Sequence, residues 1–311
     1  MLSSPTPIVV FAFNRPDHLE RTLRALAACP EAAASPLTVY CDGARREGEE
    51  PRVRDVREVA SAAKGFASVE VVARARNFGL AASIIDGVTR QVQQHDRVIV
   101  LEDDIIVSPY FLRYMQEGLA LYEQDEQVAS IHAYTYPVVE TLPETFFLRG
   151  ADCWGWATWA RAWHHFRADG PALLAELRAQ RLTRAFDLDD AYPYTQMLED
   201  QIAGRNNSWA VRWHASCFLH DMLTLYPCRS LAVNIGNDDS GTHSGQTSDY
   251  DVEMLQRPVQ MQRIELIEAA AASAAVSAFF RRKRRLFRRI ASRVRKLLPR
   301  RPIAPAQVRL P

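Results

Sequence analysis

The stretch VIVLEDDIIVSPYFLRYM, Val98–Met115, decides the fold. Val98–Leu101 is an apolar run too short for a helix and suited to a strand buried on both faces. Three adjacent carboxylates, Glu102, Asp103 and Asp104, follow it at once. Ser108 and Pro109 then supply an N-cap and a first-turn residue for a helix predicted to run to about Tyr122. If extension continued past Leu101, alternation would place Glu102 and Asp104 on one side and Asp103 on the other.

The same grammar repeats upstream. Ile8–Phe13 reads as a strand closed by Asn14-Arg15-Pro16, and Leu19, Leu23 and Leu26 recur at helical spacing. Leu37–Cys41 is a second strand ending at Asp42-Gly43. Val69–Ala73 is a third, followed by Arg76-Asn77-Phe78-Gly79 and a helix from about Leu80 to Gln93. Apolar strands alternating with helices predict an α/β fold with a mainly parallel sheet flanked by helices. Asn14, Arg15, Asp42, Asn77 and Glu102–Asp104 all fall just past a predicted strand, at the sheet edge where such folds bind ligands.

The second half is less regular. Val128–His132, Thr145–Arg149 and Leu223–Tyr226 read as strands, whereas Trp156–Phe166, Tyr194–Ala203 and Ser208–Leu219 read as helices. Asn234–Gly245 is a polar loop containing glycine. The chain divides on this reading into a domain over residues 1–265 and a remainder. The nucleotide-binding half covers about 1–108 and the acceptor half 109–265. Residues 266–311 are an Ala-rich linker and a basic tail.

The charge supports that division. The chain has 311 residues and a formal charge of +1. All 37 acids lie up to Glu268, beside 25 basic residues, so the body carries −12. The remaining residues hold 13 basic side chains and no acid, for +13. Val276, Phe280, Phe287, Ile290, Val294 and Leu297 mark an apolar stripe through the arginines, so residues 276–298 are expected to form a basic amphipathic helix lying on an anionic membrane surface. RNA binding is the rival, and no nucleic-acid module accompanies the tail, so no nucleic-acid partner is expected. Five scattered cysteines without a C-x-x-C pair fit a reducing compartment. The first apolar run has no basic flank and is too short for a signal or span. The expected location is cytoplasmic, peripheral on the inner face of the cell membrane.

Adjacent carboxylates repel one another, so Glu102–Asp104 make sense with a cation among them. Mg2+ or Mn2+ takes few protein carboxylates, leaving phosphate oxygens and water to complete its shell. An acidic loop preceding the Ser108 cap is the plainer alternative.

Taken with its neighbours, this segment resembles GT-A fold glycosyltransferases, family 2-like and N-acetylglucosaminyltransferase I-like, in which E-D-D follows a strand and precedes a P-x-F helix. FAFNRPDHLERTLRAL (11–26), VYCDG (39–43), ARNFGLAASI (75–84), GADCWGWATW (150–159) and GTHSG (241–245) have counterparts in the same order. The resemblance covers about residues 7–245. It implies a GT-A, Rossmann-like fold and a metal-dependent, inverting hexosyl- or N-acetylhexosaminyltransferase. The donor would be a nucleotide sugar, UDP-linked first. The acceptor would be a cell-envelope glycan or a lipid-linked glycan, as in bacterial polysaccharide biosynthesis.

Residue by residue, it implies that Asp42 reads uracil and that Phe13, Asn14, Arg15 and Asn77 line the nucleotide. Asp103 would meet ribose, Glu102 a donor-sugar hydroxyl, and Asp104 the metal. His243 in the closing loop would meet metal or diphosphate. The base is assigned to Asp200 or Glu199 in MLEDQIAGR (197–205), with Asp238-Asp239 as a third option. Trp154, Gly155 and Trp156 would form a platform beneath a sugar ring, while Trp159, Trp163, Trp209 and Trp213 belong to the core. A sugar-1-phosphate nucleotidyltransferase and a non-catalytic, membrane-attached glycan-binding module are the alternatives.

Overall fold

The computed structural model describes residues 6–236, Asp238 and residues 248–297, with side chains to Arg284. The first part runs β1 (Ile8–Ala12), α1 (Pro16–Ala27), β2 (Pro36–Cys41), α2 (Glu50–Ser61), β3 (Ser68–Ala73), α3 (Leu80–His95) and β4 (Arg97–Glu102). All four strands are parallel, in the spatial order β3-β2-β1-β4. The chain steps outward from β1 to β3 and then returns to the other side of β1. A crevice therefore opens between the carboxyl ends of β1 and β4, where Phe11 lies opposite Glu102.

Local chemistry explains the helices that frame this crevice. Pro16 starts α1 with its φ already helical, and Leu19, Leu23 and Leu26 are buried on one face. Gly79 opens α3 at φ 75°, which a side chain would resist. A Cβ on Gly87 would come within 2.6 Å of the Phe11 ring, so glycine lets α3 lie close on β1.

Next come β5 (Ile105–Val107), α4 (Phe111–Leu121), β6 (Val128–His132), β7 (Thr145–Arg149), β8 (Trp156–Trp159) and α5 (Ala160–Trp163). Then follow α6 (Gly170–Ala179), α7 (Thr183–Phe186), α8 (Tyr194–Ile202), α9 (Trp209–Leu219), β9 (Leu223–Pro227), β10 (Ala232–Asn234) and α10 (Ala270–Leu297). The main sheet has eight strands in the order β3-β2-β1-β4-β8-β6-β9-β7, flanked by helices. Only its first half is uniformly parallel. β8 is antiparallel to both β4 and β6, β9 is parallel to β6, and β7 is antiparallel to β9. β5 and β10 form a separate antiparallel ribbon that brings Asn234 opposite Ile105.

Two expectations change. Trp156–Trp159 is a strand, not the start of a helix; all four residues are buried, so no alternation advertises it. One apolar core includes both Ile8 and Val259, from the two halves. The body also continues past residue 265. Ala272, Ala275, Val276, Phe279 and Phe280 of α10 are buried against Phe146, Leu148 and Tyr226. Val276 and Phe280, both assigned to a membrane surface, are thus packed on the protein itself. Leu297 ends the described helix, and residue 298 lies outside the described residues.

Candidate active site

Arg15 caps α1 and reaches across the crevice to the acidic turn after β4. Its Nη2 donates to Asp103 Oδ1, and to Asp104 Oδ2 at 2.8 Å. Extension ends at Glu102, so Asp103 and Asp104 do not alternate; both face the same guanidinium. Thr22 Oγ1 donates to the Asp103 carbonyl at 2.8 Å and ties the turn to α1. Burial works against the Arg15 charge, but Asp103 and Asp104 outweigh it and hold the guanidinium firmly protonated.

One cation does not balance three acids. Burial, followed by repulsion from Asp104 and Asp103, pushes Glu102 up to about 8. Burial raises Asp103 to about 6 against the opposing pull of Arg15. Asp104 Oδ1 and Arg15 Nη1 are both buried without a hydrogen-bond partner among the described residues, leaving an acceptor and a donor on two ion-paired side chains.

β10 completes this edge. Ile235 N donates to Asp104 O at 2.9 Å. A Cβ on the following Gly236 would collide with Asp104 Oδ2 and stand 3.0 Å from Arg15 Nη1. The glycine keeps that space open. Among the described residues no group of three His, Cys, Asp or Glu side chains is arranged to hold a metal. The unpartnered Asp104 oxygen suits a cation that draws its other ligands from a diphosphate and water. Asp238 lies beside α1, with Oδ2 3.2 Å from His18 Nε2. Asp239 and His243 lie outside the described residues.

Asp42 is placed differently from the expectation. Its Oδ1 accepts from the backbone N–H groups of Gly43 at 2.9 Å and Phe78 at 2.8 Å. Its Oδ2 accepts from Gly79 N at 2.9 Å and Asn77 Nδ2 at 3.0 Å. Four donors fill the four acceptor positions of a carboxylate. Asn77 also donates to Gly43 O at 2.8 Å. Asp42 and Asn77 therefore pin two strand-end loops together rather than offering free groups to a base. Phe13 and Asn14 remain partly exposed at the crevice, with the Arg45 guanidinium 5.8 Å from the Phe13 ring.

The proposed bases are also elsewhere engaged. Arg205 donates to Asp200 Oδ1 at 2.9 and 2.5 Å, and Arg178 donates to Glu199 at 2.6 Å. The bonds from Arg205 and Gln196 hold the Asp200 carboxyl below its usual range, which weakens it as a base. These are ion-paired groups on the α6–α8 surface.

Trp154 and Trp156 divide. Trp156 is 1 % exposed among Trp163, Trp209 and Trp213, so it belongs to the core and not to a platform. Trp154 is partly exposed, edge-on to Tyr134 at 4.7 Å and to Tyr250 at 5.6 Å. Gly155, at φ 72°, turns the chain between them and packs against Ile105, next to Asp104.

The sequence reading missed Asp152. Its Oδ2 accepts from Tyr226 OH at 2.9 Å and Tyr136 OH at 3.2 Å. Two buried histidines fix the loop around it: Ala151 N donates to His214 Nδ1, and Trp154 N to His132 Nε2, both at 3.0 Å. Burial pushes both imidazoles down to about 4, so they are neutral. The available signal was compositional: Tyr134, Tyr136, Tyr192 and Tyr194 occur in two prolyl-tyrosyl segments.

Comparison with known proteins finds a similarity to one family model in the first half of the chain. Residues 4–149 match the family model described as Glycosyltransferase like family 2. No curated protein matches. Among solved structures, a mannosyltransferase from Pyrobaculum calidifontis, solved with GDP-Man and Mn2+, is 14 % identical over 70 % of each chain, with a TM-score of 0.39. The mannose-1-phosphate geranyltransferase from Thermus thermophilus is 18 % identical over 75 % of this chain and 76 % of its own, with a TM-score of 0.32. S. aureus TarS is 13 % identical over 47 % of this chain, which spans 24 % of that protein, with a TM-score of 0.29.

Proposed function

We propose that the chain is a metal-assisted, inverting glycosyltransferase that moves a hexosyl or N-acetylhexosaminyl group from a nucleotide sugar to a hydroxyl of a cell-envelope or lipid-linked glycan. The observation that carries this reading is the pair of buried, unpartnered atoms at the β1–β4 crevice. Arg15 Nη1 offers a donor to a phosphate oxygen, while Asp104 Oδ1 offers an acceptor to a divalent cation. The family 2-like domain over residues 4–149 supports the same reading. A bound Mn2+ or Mg2+ would supply charge neutralisation for the departing diphosphate. Arg15 holds the acidic turn in place and faces the leaving group. Gly236 leaves room for it. Glu102 takes a sugar hydroxyl and Asp103 the ribose.

Calorimetric titration of UDP and GDP, with and without Mn2+, tests this on the wild type and Asp104→Ala. Mn2+-dependent binding lost in the variant is expected. Equal or absent binding in all arms sinks the proposal. The nucleotidyltransferase alternative wants a glycine-rich phosphate loop after β1, and FAFNRPD (11–17) has no glycine. Donor hydrolysis abolished by a chelator would exclude the non-catalytic glycan-binding module.

We also propose peripheral attachment to an anionic membrane on its cytoplasmic face. Residues 281–297 hold ten basic side chains and no acid. Each contributes about 1 kcal/mol at most near such a surface. No described helix is long and apolar enough to cross a membrane. Flotation with vesicles containing phosphatidylserine, lost in 0.5 M salt on the order expected from screening, is the check.

A further inference from the structure

We propose that Asp152 and the aromatic side chains around it form the acceptor-sugar subsite, with Asp152 taking the proton of the attacking hydroxyl. This rests on the glycosyltransferase reading and assigns its missing half.

The position is right. Residues 150–155 follow β7 and end against the donor edge, where a Cβ on Gly155 would lie 3.5 Å from Ile105, the neighbour of Asp104. Cys153 sits between the two regions. Burial raises its thiol well above the usual range, and Glu102, Asp152 and Asp104 all add to the shift.

The chemistry is also right. Asp152 is partly exposed. Its Oδ2 is committed to Tyr226 and Tyr136, whereas Oδ1 receives, among the described residues, only the long arm of the Tyr136 hydroxyl at 3.4 Å. Oδ1 therefore keeps acceptor capacity for an incoming hydroxyl. The titratable groups facing it are His132 from β6, His214 from α9, Tyr226 from β9, and Tyr134, Tyr136, Tyr192, Tyr194 and Cys153. The histidines are pushed down to about 4 and the phenols and thiol upward, so all are uncharged at neutral pH. Trp154, Tyr136, Tyr192 and Tyr250 are partly exposed aromatic residues around this carboxylate, with the Lys283 ammonium 3.7 Å from the centre of the Tyr250 ring, and rings beside a carboxylate are the combination that holds a pyranose through its C–H face and one hydroxyl.

In the step assigned to it, the acceptor O–H proton passes to Asp152 Oδ1. The oxygen's electron pair forms the bond to the anomeric carbon. The bond from that carbon to the diphosphate oxygen breaks, and its pair leaves on the nucleoside diphosphate.

The test uses full-length protein, UDP- and GDP-sugars with Mn2+, and p-nitrophenyl glycosides of glucose, galactose, mannose and N-acetylglucosamine as acceptors. Asp152→Asn should lower kcat by about 100-fold or more while acceptor KM and Mn2+–UDP affinity stay within about threefold. Trp154→Ala should raise acceptor KM roughly tenfold with little loss of kcat. A kcat in Asp152→Asn above about one tenth of wild type, or an equal loss of Mn2+–UDP binding, overturns the proposal.

An inactive wild type would count against the enzyme reading instead, so glycoside binding is also followed without donor, by saturation-transfer NMR and tryptophan fluorescence. Binding weakened in Trp154→Ala supports the subsite. No binding by wild type, or binding unchanged in that variant, overturns it. Should Asp152→Asn fail to fold, Trp154→Ala decides by the same criteria.

Discussion

The two ends of the crevice use carboxylates in opposite ways. At the β1–β4 edge, Glu102, Asp103 and Asp104 crowd around one guanidinium, and burial leaves them short of positive charge. At the far side, Asp152 stands among phenols and neutral imidazoles that share hydrogen bonds but bring no charge. The first environment asks for a cation, and the second leaves one carboxylate oxygen with room to accept a hydrogen bond. Residue type alone does not distinguish these roles; the surroundings do.

The largest expected effect is an opposition in pH dependence. His132 and His214 have folded values near 4, below the ordinary 6.5, so their stabilisation is present above pH 6.5 and lost as pH falls towards 4. Each can account for roughly 3 kcal/mol. Glu102 and Asp103 are shifted the other way, to about 8 and 6. Their burial costs stability as pH rises from the ordinary carboxylate range through those values. Urea unfolding across pH 4–8 should therefore show a maximum between the two trends, and Mn2+ should flatten the alkaline side only. A monotonic profile unaffected by Mn2+ would break the contrast.

Next in size is Trp156→Ala, expected to cost about 4 kcal/mol through a cavity among Trp163, Trp209 and Trp213. Trp154→Ala should cost under about 1.5 kcal/mol, because part of that ring already meets solvent. Calorimetric melting of the pair separates core from site wall. Arg15→Ala should cost about 3 kcal/mol by stranding buried acids, and Mn2+ should restore more stability to it than to wild type. Equal gains in both proteins would mean that Arg15 and the cation do not share the same carboxylates. The smallest effect belongs to neither region. Glu199→Gln and Asp200→Asn should each leave melting temperature and turnover close to wild type, because exposed ion pairs contribute little. Loss of turnover in either would return the base to α8.

What the sequence disclosed follows from range. β1, β2 and β4 are continuous apolar runs because parallel strands are covered on both faces, and the acidic triplet announces itself locally. β8 did not, because Trp156, Trp159 and Trp163 satisfy a helical spacing while the first two lie on a strand. β5 and β10 are three residues each, too short to carry a pattern. Asp42 looked available because Asn77, Phe78 and Gly79, which occupy it, lie 35 or more residues away. Asp152 was overlooked for the converse reason: Tyr226, 74 residues on, gives it meaning. Phe280 of α10 was misplaced because the basic residues after it suggested a surface, whereas it packs on Tyr136 and Tyr192.

α10 gains a further significance from how it is held. Arg281 and Arg284 donate to the carbonyls of Asp189 and Asp190, which with Leu188 form three successive left-handed residues just before Tyr192. The middle of the helix is thus bolted to the wall that carries the aromatic rings. Leu297 lies 17 residues beyond Phe280, about 25 Å along the helix axis. The far end of the described helix is thereby held at a fixed span from the aromatic wall, a distance set by helix length alone.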